Sequence, residues 1–172
     1  SVRTIVTFNF DDLVERFLTY YGFHVDAVEG MPIWSTRADV RVFHPHGLLR
    51  GDSTAERPVV FTRADYDKIV GSDSNSWRSV LVELMASHTC IFIGLSGSDM
   101  NLTNILTKVN DIHSGRREGH PYWGVRVADK SDRKGSVWSS RGVAQRVVSS
   151  YDEIPEWLAG ICQRAAKVYD PS

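Results

Sequence analysis

A chain of 172 residues is about one domain long and can bury a core of useful size. Twenty basic against twenty-one acidic residues give a formal charge of -1, so nothing in the total favours nucleic acid or an anionic membrane as partner. The 42% hydrophobic and 24% charged content is that of an ordinary soluble globular protein.

No run approaches the roughly 18 apolar residues of a membrane span, and no signal peptide is recognisable. Cys90 and Cys162 both have apolar sequence neighbours. They are expected to be small core residues of a reduced, cytoplasmic protein, and two thiols cannot build a four-thiolate zinc ribbon.

In chain order, TIVTFN (4–9) reads as a strand, and Asp11 or Asp12 can cap a helix that runs to Tyr21 and stops at Gly22. FHVDAV is a candidate second strand, and the stretch from Gly30 to Ala38 a loop. A strand over 40–44 runs into His44, Pro45, His46 and Gly47. A short extended piece covers 59–61, and Thr62 with Asp65 at capping-box spacing starts a helix that fades at Gly71. Asn75 or Ser76 opens an amphipathic helix to Ser87, with Trp77, Val80, Leu81, Leu84 and Met85 on one stripe. CIFIGLS (90–96) reads as a strand buried on both faces and is followed by the polar loop GSDMN and a helix. YWGVRV (122–127) is another buried strand, AQRVV (144–148) an edge strand, and 155–169 a closing helix with Pro155 in its first turn. The basic residues between Arg126 and Arg146 are interrupted by Asp129 and Asp132 and read as a solvated loop.

Strands that alternate with helices imply a parallel sheet covered on both faces, and such sheets bind ligands beyond the carboxyl ends of their strands. Three polar clusters fall at such ends: Asn9 with Asp11, His46 with Gly47, and Ser96 with Asp99 and Asn101. Each has a plain alternative. The aspartates can simply cap a helix, the histidines can be structural, and the serine loop can be an ordinary strand-to-helix turn with Asp99 as its cap. His44 and His46 also stand at metal-ligand spacing if the strand continues through them, with Asp99, His113 or His120 to complete a site for a metal-dependent hydrolase. Trp34, Trp77 and Trp123 are expected in the core or in a pocket wall.

Four segments taken in order resemble a sirtuin-like NAD-binding domain, and more narrowly the bacterial branch that serves as effector in anti-phage defence. They are TFNFDDLVE, VFHPHGLL, VVFTRADYDKI and CIFIGLSGSDMNL, spread over about residues 3–128. The resemblance implies a three-layer α/β/α Rossmann-like domain over 1–172 with a mostly parallel sheet and no zinc ribbon. It makes Asn9 and His46 the catalytic pair. It places Asn9 beside the nicotinamide ribose with Asp11 supporting that pocket, counts Thr7 and Gly47 among the cofactor-binding residues, and puts Gly94, Ser96, Asp99 and Asn101 at the phosphate and adenosine ribose. NAD would be the substrate, cleaved at the nicotinamide–ribose bond, and ADP-ribose a further ligand. A fused or associated sensor domain and a homo-oligomer are the implied partners, with neither membrane nor nucleic acid indicated. The family's Gly-Ala-Gly phosphate loop is missing before TIVTFN, so the chain is expected to be cut from a longer one. A degenerate nucleotide-binding or oligomerisation module is the alternative that this absence supports.

Overall fold

Both halves of the chain build parallel sheet, as short apolar runs separated by helices must. The computed structural model describes residues 2–29, 37–51, 59, 62–66, 76–97, 100–114, 121–132 and 134–169. It forms two compact units, Val2–Val80 and Leu81–Ser172.

In the first unit, β1 (Thr4–Val6), β2 (Val25–Val28) and β3 (Val40–Phe43) pair in the order β1-β3-β2. Thr4 lies opposite Arg41 and Val25 opposite Val40, with both pairings parallel. The central strand carries the core: Val40, Val42 and Phe43 are buried, and Phe43 meets Trp77 edge-on at 6.0 Å. Helix α1 (Leu13–Tyr20) begins where Asp11 Oδ1 accepts the Leu13 N–H at 3.2 Å. Asp12 holds the cap position but makes no side-chain cap bond. The helix ends at Gly22, whose φ of 84° lets the Gly22 N–H reach Thr19 O and the Phe23 N–H reach Leu18 O. Helix α2 (Arg63–Tyr66) starts with the expected reciprocal cap, Asp65 N–H to Thr62 Oγ1 and Thr62 N–H to Asp65 Oδ2. Residues 60 and 61 of the expected extended piece, Trp34, and the fading of α2 at Gly71 lie outside the described residues.

Helix α3 (Ser76–Ser87) begins in the first unit and ends in the second, with Trp77, Leu81, Val82 and Met85 buried. The second unit continues with β4 (Cys90–Ile93), α4 (Met100–Ser114), β5 (Gly124–Asp129), α5 (Gly135–Ser139), β6 (Val143–Val148) and α6 (Ile154–Tyr169). Its strands pair in parallel in the order β4-β5-β6. Strand residues alternate between faces, and β5 shows what covers each. On one face Val127 packs with Val148 and Ile154, backed by Trp157 and Leu158 of α6. On the other, the Arg126 guanidinium lies 5.1 Å from the Trp138 ring of α5. This α/β architecture with parallel sheets is the Rossmann-like class the sequence predicts.

Four expectations need correction. β4 is shorter than 90–96 and only Phe92 is buried on it, while Ile93 is 44% exposed. Among the described residues it pairs with β5, which takes the inner place between β4 and β6. The basic stretch is not wholly a solvated loop, because Arg126 lies on β5 and is buried. Helix α5 fills part of the rest. β3 stops at Phe43, so His44 and His46 do not continue it. Cys162 is exposed, because α6 turns Ile154, Leu158, Ile161 and Ala165 inward at helical spacing and Cys162 away.

Cys90 is half-buried, and burial pushes its thiol up to about 11. Only the thiolate reacts with alkylating agents. At pH 8, iodoacetamide is expected to label Cys162 quickly and Cys90 slowly, as read by peptide mass spectrometry. Equal labelling would contradict the burial of Cys90.

Candidate active site

The chain leaves β1 at Val6, and Thr7 still donates its N–H to Phe43 O at 3.0 Å. Thr7 Oγ1 then accepts the Asn9 N–H at 3.2 Å. This local bond turns the segment and leaves Asn9 exposed beyond the strand end. Next to it, β3 gives way to a turn closed by the Gly47 N–H to His44 O at 3.0 Å. Pro45 in the second position pre-sets the turn's φ, and Gly47 in the fourth adopts φ 90°. The turn therefore presents His46 for the same reason that it ends the strand.

The two segments meet through rings. His46 lies 5.0 Å from Phe8, edge to face, and 6.2 Å from Phe10. These are the residues on either side of Asn9. Backbone joins them again where the Leu49 N–H donates to Phe10 O at 2.6 Å, beside a parallel bridge between Asp11 and Leu49. Thr7, Asn9, Asp11, His46 and Gly47 are thus collected at the carboxyl ends of β1 and β3.

His44 has a different place. Its ring is fully buried, with Nδ1 3.3 Å from Asn9 O and Nε2 against Glu15 Oε1 of α1. A histidine engaged this way has no nitrogen left for a metal. Among the described residues no three His, Cys, Asp or Glu side chains are grouped to hold one. His120, one of the candidates for completing such a site, lies outside those residues. Glu15 was not singled out in the sequence. Its only signal was an acidic residue in the first turn of a helix, which reads as ordinary helix-end electrostatics.

In the second unit, the loop after β4 turns at Gly94 (φ 72°) and Gly97 (φ 70°). The two glycines have different reasons. A Cβ on Gly94 would meet nothing within 4 Å, which leaves room for a ligand to approach the backbone. A Cβ on Gly97 would lie 2.5 Å from Trp138 Nε1, so that glycine is required by packing. Thr103 of α4 donates its hydroxyl to Gly97 O at 3.5 Å, and Arg126 Nε donates to Leu95 O at 2.9 Å. Ser96 is exposed on this loop. Asp99 lies outside the described residues, as does the side chain of Asn101, whose backbone is in the first turn of α4.

Gly97→Ala is expected to destabilise by about 1–3 kcal/mol more than Gly94→Ala, since both carry left-handed strain but only the first clashes. Urea unfolding of the two variants measures the difference, and equal losses would contradict the Trp138 contact.

Arg126 also pairs with Asp132. The hydrogen bond from Arg126, with a second from the Lys134 N–H, holds the Asp132 carboxyl down at about 2. Asp129, at the end of β5, is held below the ordinary carboxylate range by the Ser131 hydroxyl and N–H. Neither role was legible in a stretch read as a solvated loop.

Parallel α/β units with polar residues gathered beyond strand ends define a ligand-binding class of fold. Residues 3–144 match the SIR2-like domain family, and the chain belongs to it. No curated protein matches the chain. SIR2-like domains generally bind NAD, and the family includes NAD-dependent enzymes. Among the described residues, no helix is long and apolar enough to cross a membrane.

Proposed function

We propose that the protein hydrolyses NAD at the bond between nicotinamide and ribose, as an effector in bacterial anti-phage defence that acts by depleting NAD. Both units are read as parts of one SIR2-like domain, since the family match runs through both. The observation that carries this reading is the packing of the His46 ring on Phe8 and Phe10, which flank Asn9. It brings an amide and an imidazole, each beyond a strand end, to one edge of the sheet.

In the proposed reaction the C–N bond breaks with its electron pair going to nicotinamide, which leaves neutral. Positive charge builds on the ribose, and water adds to the same carbon to give ADP-ribose and a proton. His46, uncharged, accepts a proton from a ribose hydroxyl or from the water. Asn9 orients the water or the nicotinamide amide. Thr7, Asp11 and Gly47 shape the surroundings of that pair. The SIR2-like resemblance assigns Gly94, Ser96, Asp99 and Asn101 to phosphate and adenosine ribose. The open space at Gly94 suits the backbone approach that such a contact requires.

A sensor domain and self-association are the proposed partners. The test is release of nicotinamide from NAD by the longest natural form of the protein. No release, with ADP-ribose binding seen by calorimetry, would replace the enzyme with a nucleotide-binding module.

A further inference from the structure

A pair that no motif marks, its histidine fully buried, stands behind the two proposed catalytic groups. His44 Nδ1 faces a carbonyl oxygen, that of Asn9, and Nε2 faces the Glu15 carboxylate. Both neighbours are acceptors. The two contacts are therefore hydrogen bonds together only if the ring donates from both nitrogens, or if the carboxyl returns a proton to Nε2. Either way Glu15, His44 and Asn9 form one chain that runs from α1 to the segment after β1. His44 is fully buried and Glu15 is 12% exposed, so this chain lies in a medium that strengthens it. Glu15 Oε2 is buried and has no hydrogen-bond partner among the described residues. Among the described residues the carboxylate's hydrogen bond is the one to His44.

The same histidine governs the other segment. His44 O closes the turn by accepting the Gly47 N–H, and His46 projects from that turn onto Phe8 and Phe10. One residue is therefore bonded through its ring to the backbone of Asn9 and through its backbone to the turn that carries His46.

We infer that Glu15 and His44 are positioning residues, which hold the Asn9 segment and the His46 turn at a set separation. The inference deepens the NAD-hydrolase reading and rests on it for its catalytic consequence. The position of the His46 ring can be measured without that reading.

The test compares two variants of the longest natural form. Glu15→Met keeps length and helix preference but cannot bond His44. Glu15→Gln can donate an amide N–H to Nε2 while His44 Nδ1–H still serves Asn9 O. Displacement of reacting groups by about 1 Å costs roughly 10²-fold in rate. Glu15→Met is therefore expected to lose about that much in kcat with KM little changed, and Glu15→Gln to recover most of it. The Cε1–H resonance of His46 should move in Glu15→Met and return in Glu15→Gln. Wild-type kcat in Glu15→Met, or a loss in KM alone, overturns the inference. So does a Glu15→Met chain that fails to fold, because the pair then supports the fold and not the site. If the wild-type protein releases no nicotinamide, the NAD reading fails by itself and the His46 resonance decides. A shift in Glu15→Met restored by Glu15→Gln supports positioning, and an unmoved resonance removes it.

Discussion

His46→Ala is expected to lower nicotinamide release roughly 10²–10⁴-fold, the range that one well-placed proton acceptor contributes. The effect should appear in kcat. His46 sits on the turn after β3 with its ring against Phe8 and Phe10, so alanine removes the proposed base without disturbing the backbone bonds of Thr7 and Gly47. Asn9→Ala should also lower turnover, with less effect on stability, because Asn9 is exposed and the bond to His44 comes from its carbonyl oxygen, which alanine keeps. Steady-state release of nicotinamide, alongside thermal unfolding, separates lost chemistry from lost structure. Turnover unchanged in both variants would remove Asn9 and His46 from the catalytic role.

Asp132→Ala is expected to cost about 3 kcal/mol of stability, because it leaves the buried Arg126 cation without its carboxylate. Arg126 is 3% exposed and Asp132 19% exposed, so the guanidinium bears the larger penalty. It retains Leu95 O as acceptor and Trp138 as a ring neighbour. Nη1 already has no hydrogen-bond partner among the described residues.

The pH dependence has a definite sign. Asp132 titrates at about 2 in the folded protein against an ordinary 3.8, so the folded state holds that proton less tightly than the unfolded state. Its contribution is full above about pH 4 and is lost as pH falls toward about 2. Urea unfolding of wild type and Asp132→Ala across that window should therefore show the difference shrinking toward acid. A difference that stays constant or grows would contradict the pairing.

Much of this architecture could be read in the residues themselves. The helix ends were legible because their signals are local: Gly22 adopts the left-handed φ that ends α1, and Thr62 with Asp65 forms its reciprocal cap. Parallel pairing followed from alternation alone, since a parallel neighbour requires a crossover. The strand-end rule likewise placed Asn9, His46 and the loop after β4 at carboxyl ends without any family knowledge. What failed did so for one reason. Burial depends on which element lies alongside, and sequence neighbours do not report it. CIFI is apolar enough for a central strand, yet among the described residues β4 pairs with β5 on one side. Cys162 has apolar neighbours and still faces solvent.

The histidines show the same division. The sequence by itself determined that Pro45 interrupts the strand and that Gly47 can close a turn, because proline's ring and glycine's missing Cβ act within a few bonds. Apart from the family resemblance, which singled out His46, the residues did not show what either histidine packs against, since both stand in the same tetrapeptide. Only the tertiary structure gave them different neighbours, by placing Glu15 of α1 against the ring of His44 and Phe8 and Phe10 against that of His46. A side chain's partner across 29 residues is set by how helix and strand pack. That packing is a property of the whole sheet and not of any one segment.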